Sequence, residues 1–240
     1  MFQAHPLLSV IGSYRAVKLF YLSIFSGYFG QTFFMNTTAI QHVMNQISPL
    51  NCECWDDFSS YFTERHVRKG DILLKAGEVC KHVYFVNSGL LRCFYYSQED
   101  DREVTGEFFA ANCFLTDYFS FATQQPTNIH IQALEDSELI SIPRPGIYAQ
   151  YDKYHMAERF GRLIAEKSFI DMFNAVVIQK TLSPEQRYKI LQQERPDLFD
   201  RVPLHLIASY LRITPEHLSR IRKKIATTRR SKAVTKLKVA

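Results

Sequence analysis

The chain has 240 residues, enough for one large domain or two smaller ones, and its 46% hydrophobic and 22% charged content is ordinary for a globular protein. Five cysteines, an odd number, argue against a disulfide framework and for a reducing compartment. The net charge of +5 is unevenly spread: residues 182–240 carry 14 Lys and Arg against 5 Asp and Glu, whereas residues 1–181 carry 15 against 19. A basic C-terminal module on a mildly acidic larger one points to nucleic acid at one end of the molecule.

Leu19 to Phe34 holds no charged residue, but it is 16 residues long and is interrupted by Ser23, Ser26, Gly27, Gly30 and Gln31. A membrane helix needs ~20 apolar residues, so no membrane association is expected. No small-residue cleavage site marks a signal peptide. Asn36-Thr37-Thr38 opens a conventional helical pattern, so Met35 reads as the natural start and residues 1–34 as an extension outside the natural chain.

From about Val67 the period becomes strand-like. Ile72–Lys75, Val83–Asn87, Leu90–Ser97 and Arg102–Phe109 are short β-rich runs set off by Gly70-Asp71, Gly77, Ser88-Gly89 and Gln98–Asp101. A helix-like stretch, Phe114–Ala122, precedes two further runs, Ile129–Leu134 and Leu139–Pro143. Close-set strands of this kind predict an antiparallel roll or barrel. Cys52 and Cys54 are spaced C-x-C, with Cys80, Cys93 and Cys113 scattered beyond, and the C-x-x-C pairs of zinc or cluster sites are missing. There is no phosphate-cradling glycine loop, no G-x-S-x-G and no H-E-x-x-H, so neither an enzyme nor a metal or cofactor protein is expected.

A long helix is predicted from Met156 to about Thr181. Phe160, Leu163, Ile164, Phe169, Ile170, Phe173, Val176 and Val177 give it more apolar surface than one roll can cover, which predicts a second helix against it. Ser183-Pro184-Glu185 caps another helix through about Glu194. Leu204, Ile207, Ala208 and Leu211 then recur at three- and four-residue intervals, as on one buried helical face. Thr214, Pro215 and Glu216 supply an N-cap, an N1 proline and a first-turn carboxylate. Leu218, Ile221 and Ile225 form the inner stripe of that last helix and leave Glu216, His217, Ser219, Arg220, Arg222, Lys223 and Lys224 outside.

Two helices across a tight turn, the second cationic, are what a helix-turn-helix presents to the major groove. A carboxylate accepts from cytosine N4, and a guanidinium pairs bidentately with guanine O6 and N7. Glu216 and Arg220, one turn apart, are therefore the expected base readers, with His217 and Ser219 assisting. Arg222, Lys223 and Lys224 are expected on phosphates, beside the cap at Thr214. The ordinary alternative is a surface i,i+4 pair. Arg229, Arg230, Lys232, Lys236 and Lys238 read as a basic tail that adds phosphate contacts at most.

The order roll, long helix, helix-turn-helix resembles the CRP/FNR family of bacterial transcription regulators over roughly residues 45–226. The resemblance is carried by Lys69–Leu73, Gly77-Glu78, Val83–Leu90, Ala133–Ser137, Ile207–Leu211 and Ile213–Lys224, and this last block together with Pro184–Tyr188 is similar to the branch common in Bacteroidetes. It implies an α+β chain divided into a β-roll sensor-like domain at 35–147, a dimerisation helix at 148–181 and a winged helix-turn-helix domain at 182–240. It implies a cytoplasmic homodimer that binds double-stranded DNA and meets RNA polymerase. The family's ribose and cyclic-phosphate residues fall by position at Thr116-Asp117 and Thr127-Asn128. Thr127 lacks the charged fork of the family's arginine, so cAMP is not expected to bind, and the roll is left to an effector of other chemistry or to a scaffold role. A second departure is Arg212, where the family's inter-helix turn has a glycine in left-handed conformation. The competing readings are a roll that regulates a protein partner, and a cupin-like small-molecule binder using His82 or His130.

Overall fold

A computed structural model describes residues 35–99 and 101–237, with backbone alone from 228 onward. The expectations for residues 1–34 and for the side chains of the basic tail lie outside the described residues.

Two short helices, α1 (Thr38–Ile47) and α2 (Cys52–Ser59), precede eight strands. These are β1 (Thr63–Val67), β2 (Ile72–Leu74), β3 (His82–Ser88), β4 (Leu90–Tyr96), β5 (Glu103–Ala110), β6 (Cys113–Leu115), β7 (His130–Ala133) and β8 (Ser137–Pro143). They form two antiparallel sheets, ordered β1-β8-β3-β6 and β2-β7-β4-β5, the expected roll. The strand period explains the packing: along β7, Ile131 and Ala133 are buried while the alternating His130 and Gln132 are half-exposed. Phe85, Leu91, Ile131, Leu139, Ile140 and Ile142 fill the interior, and α1 adds Ile40 and Met44.

The stretch 114–122 is not one helix. Cys113–Leu115 pairs with β3, and only α3 (Tyr118–Thr123) is helical, with the Asp117 carboxylate accepting from the Ser120 N–H. The three apolar strand residues merge with the apolar helix into one run, and Asp117 is the boundary. Strand β1 has a polar sequence that hides it, because it is an edge strand whose charged side chains face solvent.

Beyond the roll lie α4 (Arg144–Lys153), α5 (His155–Thr181), α6 (Pro184–Glu194), α7 (Leu198–Arg201), α8 (Leu204–Tyr210) and α9 (Pro215–Leu237). The 27 residues of α5 span roughly 40 Å at 1.5 Å per residue. Its first turns bury Ala157 and Phe160 on the roll, whereas Phe169, Ile170, Met172, Phe173 and Val176 stay exposed. Among the described residues no strand follows β8, so the C-terminal module is helical and the wing expected at 182–240 is not formed there.

A second core lies outside the roll. Leu90 and Phe108, on the outer face of the β4–β5 pair, are buried together with Tyr188, Leu191, Leu198, Ile207, Leu218 and Ile221 of the helical module. The exposed side of edge strand β5 is covered by α8, where the Thr105 N–H donates to Ser209 Oγ at 3.0 Å.

The β3–β4 turn is fixed by Gly89, at φ +99°, where a Cβ would stand 2.1 Å from Ser137 Oγ and 2.7 Å from Ser137 Cα. The Gly89→Ala variant therefore combines a left-handed backbone strain with a backbone clash and should lose ~2–4 kcal/mol in urea unfolding.

Candidate nucleic-acid interface

The last two helices join as expected, with one change of face. Ile207, Ala208 and Leu211 are buried, but Leu204 is 40% exposed and Leu206 takes its place, because the helix begins one residue after Pro203 and turns that side outward. The inter-helix turn places Arg212 at φ +56°, the left-handed conformation that glycine ordinarily serves. The strain is held by the Arg212 guanidinium, which donates to Tyr95 Oη on β4.

Thr214 caps α9 through the His217 N–H at 3.2 Å. Leu218 and Ile221 point into the second core, with Ile225 packed beside them. Glu216, Ser219, Arg220, Arg222, Lys223 and Lys224 are exposed, and His217 is half-buried. The Glu216 carboxyl is held below its usual range by its own backbone N–H, by the Thr214 hydroxyl and by the Arg220 charge. The outward surface is thus one anchored carboxylate followed by a run of cations over roughly two turns of helix.

Some residues that shape this surface left little trace in the sequence. The Lys224 ammonium is 2.7 Å from Glu185 Oε2, and Lys189 holds the other oxygen of that carboxylate at 2.7 Å. Those two bonds push the Glu185 carboxyl down to about 2. The expected cap of α6 is a full capping box: the Ser183 N–H donates to Gln186 Oε1 and the Gln186 N–H to Ser183 Oγ. Arg187 donates to the carbonyls of Leu182 and Leu211, each at 2.9 Å, and so staples the end of α5 to the end of α8. Of these, the Ser183 cap and the Glu185–Lys189 pair, four apart on one helix, had local signals.

In the roll, three of the four residues expected at a nucleotide position bond within the protein itself. The Thr127 hydroxyl donates to Asp117 Oδ2, and Thr127 is 1% exposed. The Thr116 hydroxyl donates to the His82 carbonyl at 3.0 Å. Asn128 is exposed in the turn before β7. The backbone closes around them, with Gly77 N–H on the Thr127 carbonyl and Thr127 N–H on the Glu78 carbonyl, both at 2.8 Å.

His82 and His130 do not converge. Burial and the Arg65 and Lys81 charges push the His82 imidazole below its ordinary range, and His130 stacks on Phe94 at 4.9 Å. Among the described residues no three His, Cys, Asp or Glu side chains gather as a metal would require. Burial pushes the Cys93 and Cys113 thiols up to about 12, which keeps them protonated and unreactive. Among the described residues no helix is long and apolar enough to cross a membrane.

Residues 64–154 match the cyclic nucleotide-binding domain. The chain has the CRP/FNR fold. Similar solved structures include a CRP/FNR-family protein from Eubacterium rectale, 19% identical with a TM-score of 0.58 over 75% of this chain and 85% of that one. The c-di-GMP-responsive global regulator CLP of Xanthomonas campestris is 16% identical with a TM-score of 0.58 over 74% and 93%. FixK2 of Bradyrhizobium japonicum is 16% identical with a TM-score of 0.56 over 70% and 85%. No curated protein matches the sequence.

Proposed function

We propose that this chain is a sequence-specific DNA-binding transcription regulator that acts as a cytoplasmic homodimer and carries a cyclic nucleotide-binding domain that no longer binds cAMP. The observation that carries the reading is the outward face of α9: a capped helix whose apolar stripe is buried and whose exposed side bears Glu216, Ser219, Arg220, Arg222, Lys223 and Lys224. Such a helix fits the major groove with its first turns against base edges and its later cations against phosphates. Glu216 and Arg220 read bases in this account, His217 and Ser219 assist, and Arg222, Lys223 and Lys224 hold the backbone. RNA polymerase is the partner that a regulator bound at a promoter meets.

The dimer reading rests on α5. Phe169, Phe173 and Val176 are spaced four and three apart, a coiled-coil seam, and all are exposed in the single chain. A second copy of α5 would bury them and set two α9 helices on successive major grooves, roughly 34–36 Å apart. The loss of cAMP binding rests on Thr127. A cyclic phosphate needs a fixed cation, and the hydroxyl at that position is engaged by Asp117.

Arg220→Ala should weaken binding to a selected operator by ~1–3 kcal/mol and relax the preference at one base pair, leaving random DNA nearly unaffected. Equal losses on operator and random duplex in a competition gel shift would remove the base-reading role. Lys224→Ala should weaken all sequences evenly and reduce the salt slope by about 0.9. Phe173→Glu should convert a dimer to a monomer in sedimentation equilibrium; a wild-type chain that sediments as a monomer at micromolar concentration defeats the dimer reading. Calorimetric titration with cAMP should give no saturable heat, and micromolar affinity would reverse that conclusion.

A further inference from the structure

The helical module touches the roll at both ends of β4. At the start, Arg201, the last residue of α7, meets Glu135 in the β7–β8 turn through two parallel bonds, Nε to Oε1 at 2.9 Å and Nη2 to Oε2 at 2.6 Å. The same Nη2 donates to the Gly89 carbonyl at 2.9 Å, and Asp197 Oδ2 lies 3.6 Å from Nη1. At the far end, Arg212 in the inter-helix turn donates to Tyr95 Oη. Ser209 accepts from the Thr105 N–H and donates to the Glu103 carbonyl at 3.3 Å. Between the two ends, Leu90 and Phe108 lie under the module, and the Phe108 and Tyr210 rings are 5.3 Å apart.

A contact at one point leaves a module free to pivot about it. Two points separated by the length of β4, roughly 20 Å at 3.3 Å per residue, remove the pivot. A planar guanidinium gripping a carboxylate through two bonds also fixes the direction of approach, which a single ammonium would not. Helix α9 begins three residues after Arg212, so its direction follows the clamp closely.

We infer that Arg201 and Glu135 are positioning residues for DNA reading: with the Arg212–Tyr95 contact they let the roll, rather than the α5–α6 connection alone, set the angle at which α9 meets DNA. The DNA part of this inference rests on the function proposed above; the geometric part does not. In a dimer the angle of each α9 fixes the distance between the two half-sites, so the clamp acts on half-site spacing and not on base preference.

Two measurements on the full chain test this. In the first, spin labels carried by non-natural residues at Gln98 and Thr227, both exposed, report the roll-to-α9 distance in protein diluted with unlabelled chains. The distribution should be narrow in the wild type, broad in Arg201→Gln, and narrow again in the swapped E135R/R201E double variant. In the second, an operator library with varied half-site spacing should show the wild type preferring one spacing by ~10-fold and Arg201→Gln accepting neighbouring spacings within about twofold, with unchanged base preference inside each half-site. Should Arg201→Gln fail to fold, Glu135→Gln, which leaves the Gly89 bond in place, serves for both. A distance distribution and spacing profile unchanged from the wild type would overturn the inference while leaving DNA reading intact. A wild-type chain that selects no sequence defeats the function above, and the distance measurement then decides the clamp alone.

Discussion

Burial of Leu90 and Phe108 on the outside of the roll is the constraint that organises this molecule. Both belong to strands whose inner neighbours fill the roll, yet they are packed among Leu198, Ile207 and Leu218 of the helical module. One sheet therefore serves two cores, with the period of two sending alternate residues to each. A module of about 55 residues has little interior of its own, and small domains are marginal for that reason. Here the missing wall of the core is supplied by β4 and β5. Covering β5 also removes an edge that would otherwise offer unpaired N–H groups to another chain.

The polar contacts follow from that packing. Once α7 and α8 lie on the outer face, the β5 edge needs partners, and Ser209 and Arg195 supply them at Thr105 and Phe108. Arg201 and Glu135 are each about one-third exposed, so solvent weakens their attraction. Their two-bond geometry contributes direction more than stability. Asp117 follows the same economy: it caps α3 and accepts from Thr127, so its carboxylate belongs to the local fold.

Much of this was legible in the sequence. The last helix announced itself through Thr214-Pro215-Glu216 and through Leu218 and Ile221, and the structure caps and buries those residues as expected. The strands of the roll could be read from β-rich runs between glycine turns, and Arg212 could be picked out as occupying a glycine's conformation. What escaped was of two kinds. Local patterns misled where two elements shared one apolar run, as at Cys113–Thr123, and the start of α4, Arg144-Pro145-Gly146, carries breaker residues that gave no helix signal. There proline suits the first turn, and Gly146 is required because a Cβ would lie 2.6 Å from the Tyr61 ring. Contacts set by tertiary packing gave no signal: Glu135 and Arg201 are 66 positions apart and nothing local marks either.

The carboxylate of Glu185 has a consequence for how such a protein would travel along a genome. It lies against one of α9's own lysines and, being ionised down to about pH 2, occupies that cation as a phosphate would. On the proposed function, a phosphate taking Lys224 would first displace this resident carboxylate, so the contact would be held less firmly than the formal charge implies. If the chain reads DNA as proposed, a weaker hold on wrong addresses would shorten its search for a right one.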